Sequence, residues 1–145
     1  MRMKIGLAAA ALGLLVAGVA VGQDDPIAAR QAIMKKNGGE ARTAFMMASG
    51  RQPFDAKAAA DAMNALADDM KVFPTLFPPG SDQGDTKATA ELFANIDDFK
   101  ARAAQLSEHA SAAAAAAADG LDAFKVAFEV VNADCSGCHQ LYRSR

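Results

Sequence analysis

Alanine supplies 36 of the 145 residues, and this feature narrows the folds open to the chain. Alanine has the best intrinsic helix propensity and is a poor strand former, so the chain reads as all-α. Hydrophobic types make up 52% of the sequence. With so many of them alanine, a plain bundle buries less apolar area per residue than a leucine-rich one, and something else is expected to fill it. The length allows one domain and excludes an enzyme with a separate substrate domain. A formal net charge of −2 offers no basic field for nucleic acid.

Residues 1–22 have the pattern of an export signal. Arg2 and Lys4 precede an apolar and glycine run from Ile5 to Val21, and Ala20-Val21-Gly22 supplies small residues for cleavage. The run is at the lower limit for spanning a bilayer, and Asp24, Asp25 and Pro26 follow at once. Cleavage after Gly22 leaves residues 23–145 as the mature domain and the membrane relevant only to export. The two cysteines then reside in an oxidising compartment, the periplasm.

Breakers divide the mature chain into four helical stretches. The first runs from Pro26 to Ser49, with Ile27, Arg30, Met34, Ala41, Phe45 and Ala48 on one stripe and Gly38-Gly39 as a weak point. The second, Asp55 to Val72, carries the seam Ala59, Met63, Leu66, Met70 and Phe73. Pro74 to Thr86 is a Pro/Gly-rich loop long enough to suggest a functional or covering role. The third stretch, Lys87 to Ala118, has the seam Leu92, Ile96, Phe99, Ala103, Leu106 and Ala110. The fourth, Leu121 to Arg143, aligns Phe124, Phe128, Val131, Cys135, Cys138 and Tyr142. Amphipathic helices with mostly short links predict an antiparallel up-down-up-down four-helix bundle.

The chemistry lies in Cys135-Ser136-Gly137-Cys138-His139. C-x-x-C-H is the attachment signature of a c-type haem. Two thiols three residues apart can each form a thioether with one haem vinyl group, and the next residue places an imidazole beneath the iron. The alternatives fit less well. Structural zinc wants four ligands, a thioredoxin-type pair expects a βαβ setting, and a disulfide across so small a loop adds little. His109, beside Glu108, reads as a solvated histidine.

Bundle geometry puts the end of the fourth stretch beside the start of the first and the end of the second. Five methionines survive cleavage. Met46 and Met47 lie roughly 18 Å beyond Met34 along the helix, and Met63 about 10 Å further from the haem end than Met70. Met34 is the expected second axial ligand, since His/Met pairs are common in haem c proteins, while Met70 reads as a core filler. Arg30, one turn before Met34, is a candidate partner for a haem propionate, with a surface Arg as the alternative. Arg143 is placed near the haem edge. Phe73 and Phe77 either pack on the porphyrin or serve as ordinary core.

These residues carry a family resemblance over nearly the whole mature length. Arg30-Gln31-Ala32-Ile33-Met34-Lys35, Phe77-Pro78-Pro79-Gly80, Thr86-Lys87-Ala88 with Leu92-Phe93, and Cys135–His139 followed by Tyr142-Arg143 resemble the cytochrome c′ family, the class II c-type cytochromes. The resemblance implies a four-helix bundle with one covalent haem c, thioethers at Cys135 and Cys138, and His139 proximal. Met34 in the R-Q-x-x-M arrangement is similar to the low-spin cytochrome c-556 branch, in which that Met binds iron. Pro74 and Phe93 stand where many members have Trp, a departure in packing near the haem.

The expected function is a periplasmic electron carrier, not an enzyme, with cofactor-binding residues Cys135, Cys138, His139, Met34, Arg30, Phe77 and Arg143. The rival is a five-coordinate cytochrome c′ that binds nitric oxide or carbon monoxide with Met34 merely crowding the distal face. Expected partners are redox proteins of a periplasmic chain, with Lys35 and Lys36 either a docking face or simply solvated surface. The resemblance also implies homodimers through the first two helical stretches, with variation in the low-spin branch.

Overall fold

The computed structural model describes residues 25–145. The export signal expected over residues 1–22 lies outside the described residues. Among the described residues there are five α-helices: α1 (Pro26–Ala48), α2 (Ala56–Val72), α3 (Ala90–Ala94), α4 (Ile96–Ala116) and α5 (Leu121–Tyr142). The four long ones form an antiparallel four-helix bundle, and none is long and apolar enough to cross a membrane.

The helix starts follow local chemistry. Asp25 Oδ1 accepts from Ile27 N (2.9 Å) and Ala28 N (3.3 Å), with Pro26 in the first turn. The cap satisfies donors that the helix itself leaves free, and proline gives up no bond there. Asp55 Oδ1 caps α2 by accepting from Ala58 N at 2.9 Å. Gly120, at φ 101°, makes the left-handed turn between α4 and α5 that other residues resist.

Alanine does its work between α2 and α4, the most extensive helix pair. Ala59, Ala62 and Ala67 of α2 and Ala110, Ala113 and Ala114 of α4 belong to one buried core, and small side chains let the backbones approach. Ser107 Oγ donates to Ala67 O at 2.8 Å across this seam. Met63, Leu66, Phe99, Phe124 and Val131 are the largest fully buried side chains. By contrast α1 meets α5 only over a short stretch.

Two sequence expectations change. The third stretch is not one helix, because Asn95 interrupts it. The Asn95 side chain donates to Glu91 O (3.0 Å) and Glu91 Oε1 (2.6 Å), competing with the helical backbone as short amides do. Lys87–Thr89 are extended instead and clamp the end of the chain. Thr89 N donates to Tyr142 O (3.0 Å) and Ser144 N to Lys87 O (2.8 Å). On α1, Phe45 is 45% exposed, so the inward face runs through Arg30, Asn37, Ala44 and Met47. The helix passes through Gly38-Gly39 uninterrupted.

A polar brace joins α4 to the end of α5. Asp98 accepts from the Tyr142 hydroxyl and from Arg102 Nε at 2.6 Å. These bonds, Tyr142 first, hold the Asp98 carboxyl below its ordinary value. A carboxyl lowered on folding adds stability above its unfolded pKa of about 3.9, and that stability is lost as pH falls through the folded value. Asp98→Asn should therefore flatten the acid limb of a plot of urea stability against pH, leaving less pH dependence below about pH 4.

Candidate functional site

Where α1 and α5 part, a cavity of about 470 Å³ opens. α5 lines it with Cys135, Cys138, His139, Tyr142 and Arg143. α1 contributes Ile27, Arg30, Met34 and Asn37, α2 contributes Leu66 and Met70, and Phe99 comes from α4. The C-x-x-C-H residues share this wall because a helix advances about 100° per residue, which places positions i, i+3 and i+4 on one side.

The surroundings of both thiols favour the protonated form. Burial, then Asp134 and Cys138, pushes Cys135 up to about 11, and burial also raises Cys138. Neither is in a disulfide. They are therefore poor thiolate ligands, and among the described residues no three His, Cys, Asp or Glu side chains gather as a metal site. His139 is open to solvent on part of its surface and borders the cavity on another. Its pKa is lowered by burial and by Arg143, which favours the neutral imidazole that can donate a lone pair to a metal.

Of the methionines, Met34, half-buried, and Met70, 3% exposed, border the cavity. Met47 and Met63 are buried elsewhere in the core. Phe77 is both core and wall. It packs on Phe99 at 4.7 Å, Phe73 at 5.2 Å and Phe93 at 6.0 Å between ring centroids. Phe93 thus fills the position expected to depart from the family pattern. Arg143 is exposed at the cavity edge.

Arg30 borders the cavity but is not a surface residue. It is 4% exposed, with its guanidinium 4.6 Å above the Phe77 ring. Its nitrogens donate to Ser81 Oγ (3.1 Å), Ser81 O (2.8 Å) and Thr86 Oγ1 (3.2 Å). Burial lowers its pKa. Its main structural job is to hold the Phe77–Thr86 loop over α1, where Gln31 Nε2 also donates to Asp85 O at 2.8 Å. A Cβ on Gly84 of that loop would come within 3.3 Å of Ile27 Cδ1, so the loop sits tightly on the helix. Arg30→Leu leaves four acceptors, Leu76 O among them, without this donor. It should cost about 3 kcal/mol in urea unfolding, the scale of charge-assisted bonds lost together with orphaned partners.

The wall chemistry suits a particular guest. The lining is largely apolar, contains no Asp or Glu, and carries Arg30, Lys87, Arg102 and Arg143. A flat apolar ring bearing two carboxylates, two vinyl groups and a central iron matches this wall, with the cysteines and histidine together on α5.

The sequence pattern of the cytochrome c′ family matches residues 25–143. The chain belongs to the cytochrome c′ family. It is 37% identical over 143 residues to a cytochrome c-556 from Agrobacterium fabrum, covering 99% of this chain and 97% of that one. It is 34% identical over 145 residues to a cytochrome c′ from Rhodopseudomonas palustris, covering 99% of each. The solved cytochrome c′ structure from Rhodopseudomonas palustris superposes with a TM-score of 0.81 at 31% identity, covering 85% of this chain and 98% of that one. Members of the cytochrome c′ family are haem proteins that carry electrons or bind small ligands.

Several cavity residues escaped the sequence reading. Arg102 was legible only as an i+4 partner of Asp98. Asn37 stands seven residues after Arg30 and seven before Ala44, two helical turns each way, so the spacing marks it as inward-facing. A polar side chain on an otherwise apolar stripe hid the signal.

Proposed function

We propose that this chain is a periplasmic electron-transfer protein. It holds one haem c by thioethers at Cys135 and Cys138, with His139 and Met34 as axial ligands. The observation that carries this reading is that α5 brings Cys135, Cys138 and His139, and α1 brings Met34, to one cavity. When bound, haem c supplies iron that cycles between ferrous and ferric. Cys135 and Cys138 would hold that group through thioethers, each sulfur entering as a thiol so that attachment is redox-neutral. His139 offers a neutral imidazole. Met34 offers a soft thioether that favours ferrous iron and raises the potential. The aromatic floor of Phe77, Phe99 and Tyr142 keeps water from the inner side. Ligands held by two rigid helices need little rearrangement when one electron arrives or leaves. Redox proteins of the same compartment are the partners this role requires.

The rival is a high-spin protein that binds carbon monoxide or nitric oxide, a reading kept open by relatives named cytochrome c′ as well as cytochrome c-556. An absorption spectrum of purified holoprotein at neutral pH separates the two. Low-spin bands unmoved by carbon monoxide support Met34 ligation. High-spin bands that shift readily with carbon monoxide would replace it with the rival.

A further inference from the structure

Asn37 lies one turn past Met34 on α1 and borders the same cavity. It is 7% exposed, and its Oδ1 has no hydrogen-bond partner among the described residues. Arg30 and Gln31, on the same helix, both bond the loop. A buried carboxamide left unpaired destabilises a fold, whereas leucine would fill similar space without that penalty. The amide therefore points to a partner present only when the cavity is filled. The face of an apolar ring gives a carboxamide nothing to bond. Under the reading of Met34 as an iron ligand, its thioether would give one lone pair to the metal and keep another as a weak acceptor. Residues three apart on a helix are surface neighbours, and rotation about the last side-chain bond presents the N–H in place of the oxygen.

We propose that Asn37 is a positioning residue for Met34, its carboxamide N–H donating to the thioether sulfur when that sulfur is an axial ligand. The inference rests on the reading of Met34 as ligand. The bond would hold the sulfur on the iron and draw charge from it, which favours the ferrous state and slows entry of competing ligands.

The test uses the holoprotein and Asn37→Leu. The ferrous-to-ferric ratio at a fixed applied potential should fall about fivefold, the scale of one net hydrogen bond. Carbon monoxide should bind ferrous protein faster, and urea stability of the holoprotein should not rise, because the amide removed is paired to the sulfur there. In a Met34→Ala background the same substitution should leave the potential unchanged, because the coupling runs through the sulfur. If Asn37→Leu does not accumulate with haem, Asn37→Ala gives the same readouts. An unchanged potential and carbon monoxide rate would overturn the proposal. So would an equal shift in the Met34→Ala background, which would assign Asn37 to the iron or a bound water. A high-spin wild type that binds carbon monoxide readily would defeat the Met34 reading instead, so the two failures are distinguishable.

Discussion

Met34→Ala should turn a low-spin cytochrome into a high-spin one that binds carbon monoxide. The reasoning begins with competition. If the sulfur occupies the iron 99% of the time, an outside ligand sees only the open fraction, and removing the sulfur raises its apparent affinity about a hundredfold. The fold should survive, because Met34 is only half-buried and stands at the cavity wall rather than in the central core. Met70→Ala is the matched control. Met70 is 3% exposed and belongs to the central core, so its truncation should cost about 2–5 kcal/mol in urea while the low-spin spectrum stays. A spectral change with Met70→Ala and none with Met34→Ala would exchange the roles of the two.

The second large effect concerns attachment. With both Cys135→Ser and Cys138→Ser, haem should pass entirely into acidified organic solvent, whereas from the wild type none should be extracted. Serine keeps the size of the thiol but does not add to a vinyl group. Each single variant should retain one bond and shift the reduced absorption bands, because one vinyl group stays unsaturated. The double variant should also melt earlier, since a ligand held only by affinity stabilises by an amount set by its free concentration relative to Kd and is lost on dissociation. Haem retained in the double variant after denaturation would contradict covalent attachment through this pair.

Much of this was legible in the chain. The seams of α2 and α5, Met63-Leu66-Met70 and Phe124-Phe128-Val131, repeat at steps of three and four, and tertiary packing agrees with the period. The C-x-x-C-H spacing names its cofactor because few other arrangements need two thiols and an imidazole on one helical face. The α3–α4 break was hidden because Asn95 acts through its own side-chain bonds, which periodicity does not report. Phe45 was misplaced because α1 buries polar Arg30 and Asn37 where an apolar pattern expects hydrophobic residues. Arg30 illustrates the limit best. Its inward position could be read from its spacing to Met34, but its partners, Ser81 and Thr86, lie more than fifty residues away in a loop with no periodicity.

The cavity also revises the alanine arithmetic. Alanine between α2 and α4 allows close backbone approach, while the wider parting of α1 and α5 leaves room at one end of the bundle. Alanine is concentrated in α2 and α4, while Met34, Leu66, Met70, Phe77 and Phe99 give the cavity a largely apolar wall. That division fits a bundle organised around a cofactor rather than a uniformly packed core.

The most direct test is proton–carbon NMR of the ferrous holoprotein labelled at its methionine methyl groups. A methyl on a sulfur bound to haem iron sits within the ring current of the macrocycle and moves far upfield. One of the five methionine methyls of residues 25–145 should be displaced in this way in wild type and Met70→Ala, and the displaced signal should vanish in Met34→Ala. No displaced methyl in wild type, or one that persists in Met34→Ala, would contradict the account.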